Sequence, residues 1–169
     1  MSLHGDLLDQ AFLLARKEPR RPKQASLRRA VSTAYYAMFH LLTEESARLM
    51  VSGNARASLR LCVRRAHDHA DMKSVARQFA EGGLSRKIEP GLNGQAIPVS
   101  LRGVAKAFVD LQEARHEADY DVSRTFTRAE VVTLLEQVAQ ALEDWRAVRG
   151  SLPADAFLVA LLTLRSMKG

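Results

Sequence analysis

The chain has a single cysteine, Cys62, among 169 residues. That excludes an intrachain disulfide and a thiolate cage for a metal. Its surroundings, LRLCVRR, read as helix, and a thiol there is expected to pack as a small apolar side chain. Proline and glycine are also sparse, at five and nine, so little interrupts the chain and long helices have room. No apolar run approaches the roughly 20 residues that cross a bilayer. The opening MSLHGDLLDQ lacks the charged, apolar and small-residue stages of a secretory signal. A soluble, cytoplasmic protein with no membrane partner is expected. There is no Gly-x-Ser-x-Gly elbow, and GLNGQ at 91 to 95 lacks the Lys-Ser/Thr ending of a phosphate loop. Hydrolase and phosphate-loop chemistry therefore have no foothold, and no cofactor is expected.

The composition, 47% hydrophobic and 26% charged, is that of an ordinary folded protein, and the length suits one domain over residues 1 to 169. The net charge is +6. Residues 16 to 29, RKEPRRPKQASLRR, hold seven Lys or Arg against one Glu, which makes Arg20, Arg21, Arg28 and Arg29 candidate nucleic-acid contacts. Arg56, Arg60 and Arg64 recur every four residues and line one face of a helix; Arg60 and Arg64 join the candidates. A solvated surface accounts for both patches equally well.

Apolar spacing predicts an all-α protein, an up-and-down bundle of five to six helices. The first runs from Ser2 to Lys17 and is halted by Pro19 and Pro22. The second covers about Gln24 to Val51, with Leu27, Ala30, Val31, Ala34, Met38, Leu41 and Leu42 on one stripe and Tyr36 and Phe39 pointing elsewhere. With two sticky faces it is expected to sit centrally or at a subunit interface. A third helix starts near Ala57. Its apolar side changes phase after Ala70, so a break is expected at 69 to 71 with Asp71 as the cap.

Residues 82 to 98 hold four of the nine glycines and two of the prolines, and read as the longest and most mobile loop. Helix follows over about Ser100 to Tyr120. TRAE at 127 to 130 is a capping box that opens the next helix, and Gly150 stops it. The last helix, Pro153 to Met167, contains AFLVALLTL and must be buried in the bundle or against another subunit.

The stretch EARHEADYDV at 113 to 122 crowds Arg, His and acids at a helix end. Arg115 falls on the apolar stripe between Phe108 and Leu111, where a guanidinium needs acceptors. Asp119, one turn on, is placed to supply them. Two readings stay open: a structural Arg115–Asp119 pair, or a site in which Arg115 holds a phosphate and the adjacent His116 exchanges protons. HDHAD at 67 to 71 suggests metal, but His67 and His69 sit about 200° apart on a helix, and no metal site is expected. Tyr35, Tyr36 and Phe39 beside Arg28 and Arg29 are suited either to the core or to stacking bases.

AVSTAYYAMFHLL in the second helix, followed about seventy residues later by ARHEADYDV and a long amphipathic helix, resembles the HEPN domain (higher eukaryotes and prokaryotes nucleotide-binding), in its bacterial branch. Tyr35, Tyr36, Phe39 and His40 carry one half of the likeness and Arg115, Asp119 and Tyr120 the other, over roughly residues 5 to 148, with 153 to 167 as an added apolar helix. The resemblance implies an all-helical homodimer, joined here through helix two and the last helix. It also implies RNA or nucleotide as ligand, a nucleotidyltransferase or other protein as partner, and a toxin–antitoxin or defence setting. Active members cleave RNA without metal, using an arginine followed four to six residues later by histidine. Here Asp119, Tyr120 and Asp121 hold those places and His116 comes too early. Alignment on the tyrosine puts Ala118 at the histidine position. The resemblance thus implies a binding or regulatory module, with a ribonuclease built on Arg115 and His116, or a purely structural interaction module, as the alternatives.

Overall fold

The structure is a computed structural model and describes residues 2 to 164. It is all-α. Among the described residues there are seven α-helices and no strand: α1 (Leu3–Arg16), α2 (Gln24–Met50), α3 (Ala57–Arg65), α4 (His69–Glu81), α5 (Val99–Tyr120), α6 (Arg128–Val148) and α7 (Leu152–Thr163). Short 3-10 turns occupy Asn54–Arg56 and Glu89–Leu92. The expected end of the last helix at Met167 lies outside the described residues. None of these helices is long and apolar enough to cross a membrane.

Seven helices replace the expected five to six because the break expected in the third is complete and divides it into α3 and α4, at residues 66 to 68 rather than 69 to 71. Asp68, not Asp71, caps the second piece: its backbone is extended and its carboxylate accepts from the amides of Ala70 at 2.9 Å and Asp71 at 3.1 Å. Asp71 lies in the first turn of α4, where a negative charge meets the positive end of the helix. The phase change follows from the division. Met72, Val75, Ala76 and Phe79 are fully buried, whereas α3 buries no residue at all and Cys62, expected in the core, is exposed.

His67 sits at that junction, 9% exposed. Its Nδ1–H donates to the Val63 carbonyl at 3.0 Å, and Nε2 is buried with no partner. Burial pushes the imidazole below the usual histidine range, outweighing that hydrogen bond. The unfolded chain therefore takes up a proton at about pH 6.5 that the folded chain resists. The stability due to neutral His67 is complete above that pH and is lost as the pH falls through it. Urea melts from pH 7.5 to 5.5 are expected to show declining stability, with a shallower slope in His67→Gln, whose amide still donates to Val63. Equal slopes would refute the assignment.

The chain packs as two compact units. The first comprises the chain up to His40 with Ala107–Glu143, and the second Leu41–Lys106 with the chain from Asp144 on. In the first unit, α2 is buried on nearly every side from Ala30 to Met38, as its two apolar faces require. Tyr35 and Phe108, both fully buried, stack tilted at 5.7 Å. The capping box forms as expected: the Glu130 amide donates to Thr127 Oγ1 at 3.2 Å and the Thr127 amide to Glu130 Oε2 at 3.4 Å. Arg128 holds the end of α1, donating to the carbonyls of Ala15 at 3.2 Å, Pro19 at 2.8 Å and Glu18.

In the second unit Phe79 of α4 packs on Phe157 of α7 at 4.9 Å. The apolar last helix is covered there, with Phe157, Leu158 and Leu161 all buried. Glu45, 8% exposed, accepts from the Trp145 indole at 3.3 Å and pairs with the Arg149 guanidinium at 2.6 Å. A carboxylate that deep is tolerated because its acceptors are filled.

Candidate functional site

The cluster at the end of α5 lies in the first unit, and α2 supplies its other wall. On α2, Arg28, Ser32 and Tyr36 recur every four residues and form a polar stripe on an otherwise buried helix. On α5, Arg115 and Asp119 face that stripe. The pair expected from one-turn spacing is present, with Arg115 Nε 3.0 Å from Asp119 Oδ2 and side chains 19% and 31% exposed. The N–H misses the oxygen in angle, so this contact is a close ion pair rather than a linear hydrogen bond.

Ser32 completes the arrangement by donating its hydroxyl to Asp119 Oδ1 at 2.6 Å. Both carboxylate oxygens are thereby engaged. The Arg115 guanidinium lies over two rings, 5.1 Å from the Tyr35 centroid and 5.5 Å from that of Tyr36, and Nη2 donates to the Tyr36 hydroxyl at 3.4 Å. A flat cation held between aromatic faces and a carboxylate is fixed in orientation, which lysine does not reproduce.

Tyr35 is fully buried and serves the core, while Tyr36, Phe39 and His40 are half-buried. Tyr36 and Phe39 meet edge to face at 6.5 Å, and His40 lies 6.2 Å from Tyr36. On α5, His116 is exposed and its ring lies 5.1 Å from that of Tyr120, itself 67% exposed. Arg115, His116, Asp119, Tyr120 and Tyr36 therefore belong to one region of one unit.

The remaining acids of the cluster hold the loop between α5 and α6. Arg124 donates to Glu117 at 2.9 Å and pairs with Glu130, and these two carboxylates raise its pKa, Glu117 first. The Ser123 hydroxyl and amide donate to Asp121 Oδ1 at 2.6 and 2.9 Å, which holds that carboxyl below the usual range. Phe126, buried under Arg124 at 4.5 Å, exchanges hydrogen bonds with the Gln24 side chain, donating at 2.9 Å and accepting at 2.7 Å.

Arg28 is the other tie. Its Nη1 donates to the Ala118 carbonyl at 2.8 Å and that of Glu117 at 3.4 Å, and its Nη2 to Asp121 at 2.9 Å and to Arg124. Of the candidate nucleic-acid contacts, Arg28 is thus occupied by main chain. Arg20, Arg21 and Arg29 are exposed. Arg60 donates to the carbonyls of Gly53 at 2.8 Å and Val51 at 3.4 Å, at the end of α2 in the second unit, and Arg64 lies in the same unit.

Ser32 and the occupancy of Arg28 are what sequence reasoning missed, although the four-residue recurrence of polar groups on α2 was a signal for both. Among the described residues no group of three His, Cys, Asp or Glu is placed to hold a metal ion. Comparison with known protein families, with characterised proteins and with solved structures finds no match to this chain.

Proposed function

We propose that this chain is an HEPN-like module that binds RNA or nucleotide on the face around Arg115, without cleaving RNA by the familial mechanism. The observation that supports the reading is the clamped guanidinium: Arg115 is oriented by Tyr35, Tyr36 and Asp119 beside the exposed His116 and Tyr120. Such a surface offers a cation for phosphate and rings for bases, the combination that single strands require. Arg20, Arg21 and Arg29 of the same unit add positive charge that carries no sequence preference. Homodimerisation and a nucleotidyltransferase partner belong to the same reading.

Retention of mixed RNA on the pure protein is expected to fall with salt and to drop roughly tenfold in Arg20→Glu/Arg21→Glu. Unchanged retention in that variant removes the turn between α1 and α2 from the surface. The ribonuclease alternative is favoured by one feature, the exposure of His116 next to Arg115. It expects EDTA-resistant cleavage that His116→Ala abolishes. RNA left intact by the wild-type protein rejects it and leaves the binding reading standing.

A further inference from the structure

We infer that the groove between the C-terminal part of α2 and α3, within the second unit, is a binding site for a phosphate chain. The groove holds about 350 Å³ and is walled by Arg48 of α2 and by Arg60 and Arg64 of α3. The rest of its lining is Ala47, Ala57 and Leu61, which bring no further charge to it. One acid, Glu44, lies among the lining residues, and it is engaged by Arg48 at 2.6 Å.

The three cations differ in how they are held. Arg60 is anchored through Nη1 to the carbonyls of Gly53 and Val51, which fixes its planar fork and leaves Nε and Nη2 without a protein acceptor among the described residues. The Arg64 side chain, one turn on and half-buried, makes no hydrogen bond or ion pair among the described residues. Arg48 is steadied by Glu44 and by the buried Glu45 at 3.6 Å. Arg60 and Arg48, held in advance, lose little entropy on meeting a ligand.

Core packing does not account for α3, since it buries no residue. What α3 does present is this arginine face. Guanidinium forks match tetrahedral oxyanions, and with Glu44 and Glu45 both facing Arg48, the unsatisfied N–H groups of Arg60 and Arg64 suit an anion with several charged oxygens rather than a lone carboxylate. The volume lies at the small end of ligand sites, which fits a short phosphate chain, either free or at the end of an RNA. The site shares no residue with the face around Arg115, so either can fail alone.

The test is calorimetric titration of the full chain with tripolyphosphate at about 50 mM salt. Saturable binding is expected, weakened about tenfold or more by Arg64→Glu, with Arg64→Lys intermediate and Arg86→Glu, at an exposed position outside both surfaces, within about twofold of wild type. The Arg64 side chain makes no hydrogen bond or ion pair among the described residues, and circular dichroism checks that its variants remain helical. Competition by a 5′-triphosphorylated oligonucleotide, but not by its 5′-hydroxyl counterpart, assigns the chain to an RNA end. Binding without that competition assigns it to a free polyphosphate, and either result supports the site. No saturable binding, equal binding by Arg64→Glu, or equal weakening by Arg86→Glu overturns it.

Discussion

Arg115→Ala is expected to lower the unfolding free energy by about 3 kcal/mol and the retention of RNA by roughly tenfold. The side chain is only 19% exposed, and its removal takes away two ring contacts, at about 1 kcal/mol each. It also leaves Asp119 with Ser32 as its remaining partner on that wall. A partly enclosed carboxylate that loses its cation is costly in itself. Arg115→Lys keeps the charge but not the flat stacked fork, so about half of the stability loss is expected to remain. Urea melts and filter binding at fixed salt separate the effects. A loss of stability with unchanged retention per folded molecule makes Arg115 a strut between α2 and α5. A change below about 0.5 kcal/mol means that the packing of the guanidinium contributes nothing measurable.

The all-α class and most of the core were readable because apolar spacing reports burial directly. Every residue placed on the inner stripe of α2, from Leu27 to Leu42, is buried. Phe108 and Leu111, which define the apolar stripe of α5, are buried too. The Arg115–Asp119 pair was readable for a related reason, since a cation on an apolar stripe requires an anion one turn away. Spacing failed on α3. Its alternation of Leu59, Cys62 and Val63 with arginines has the form of a buried face, yet Leu59 is 53% exposed and Cys62 is exposed too. Periodicity shows that a helix has two faces, not that a neighbour is present to cover one. The cap of α4 was misplaced by three residues because Asp68 and Asp71 have identical side chains, and only the extended backbone of Asp68 lets it accept from two amides. Ser32 and Glu45 escaped notice because their partners lie 87 and 100 positions away in the chain.

Arg28→Ala is expected to cost about 3 kcal/mol, although a residue in so basic a segment invites a nucleic-acid role. The cost arises from carbonyls rather than from phosphate. The last turn of a helix leaves carbonyl oxygens without intrahelical donors, and Arg28 reaches from α2 to fill those at the end of α5 and in the loop beyond it. Arg128 does the same for the end of α1, and Arg60 for the chain leaving α2. Three helix ends are therefore closed by arginines from other segments, each placing positive charge where the helix dipole is negative. Part of the net charge of +6 is thus a feature of folding. Lysine cannot substitute, because a single ammonium does not span carbonyls on both sides of the loop, so Arg28→Lys is expected to recover less than half of the loss. Hydrogen exchange should quicken at Asp121 to Phe126 in both variants, since that loop and the Tyr120 side of the site hang on the same guanidinium. If stability and exchange hold while RNA retention falls, Arg28 faces a ligand after all, and its role in closing α5 is refuted.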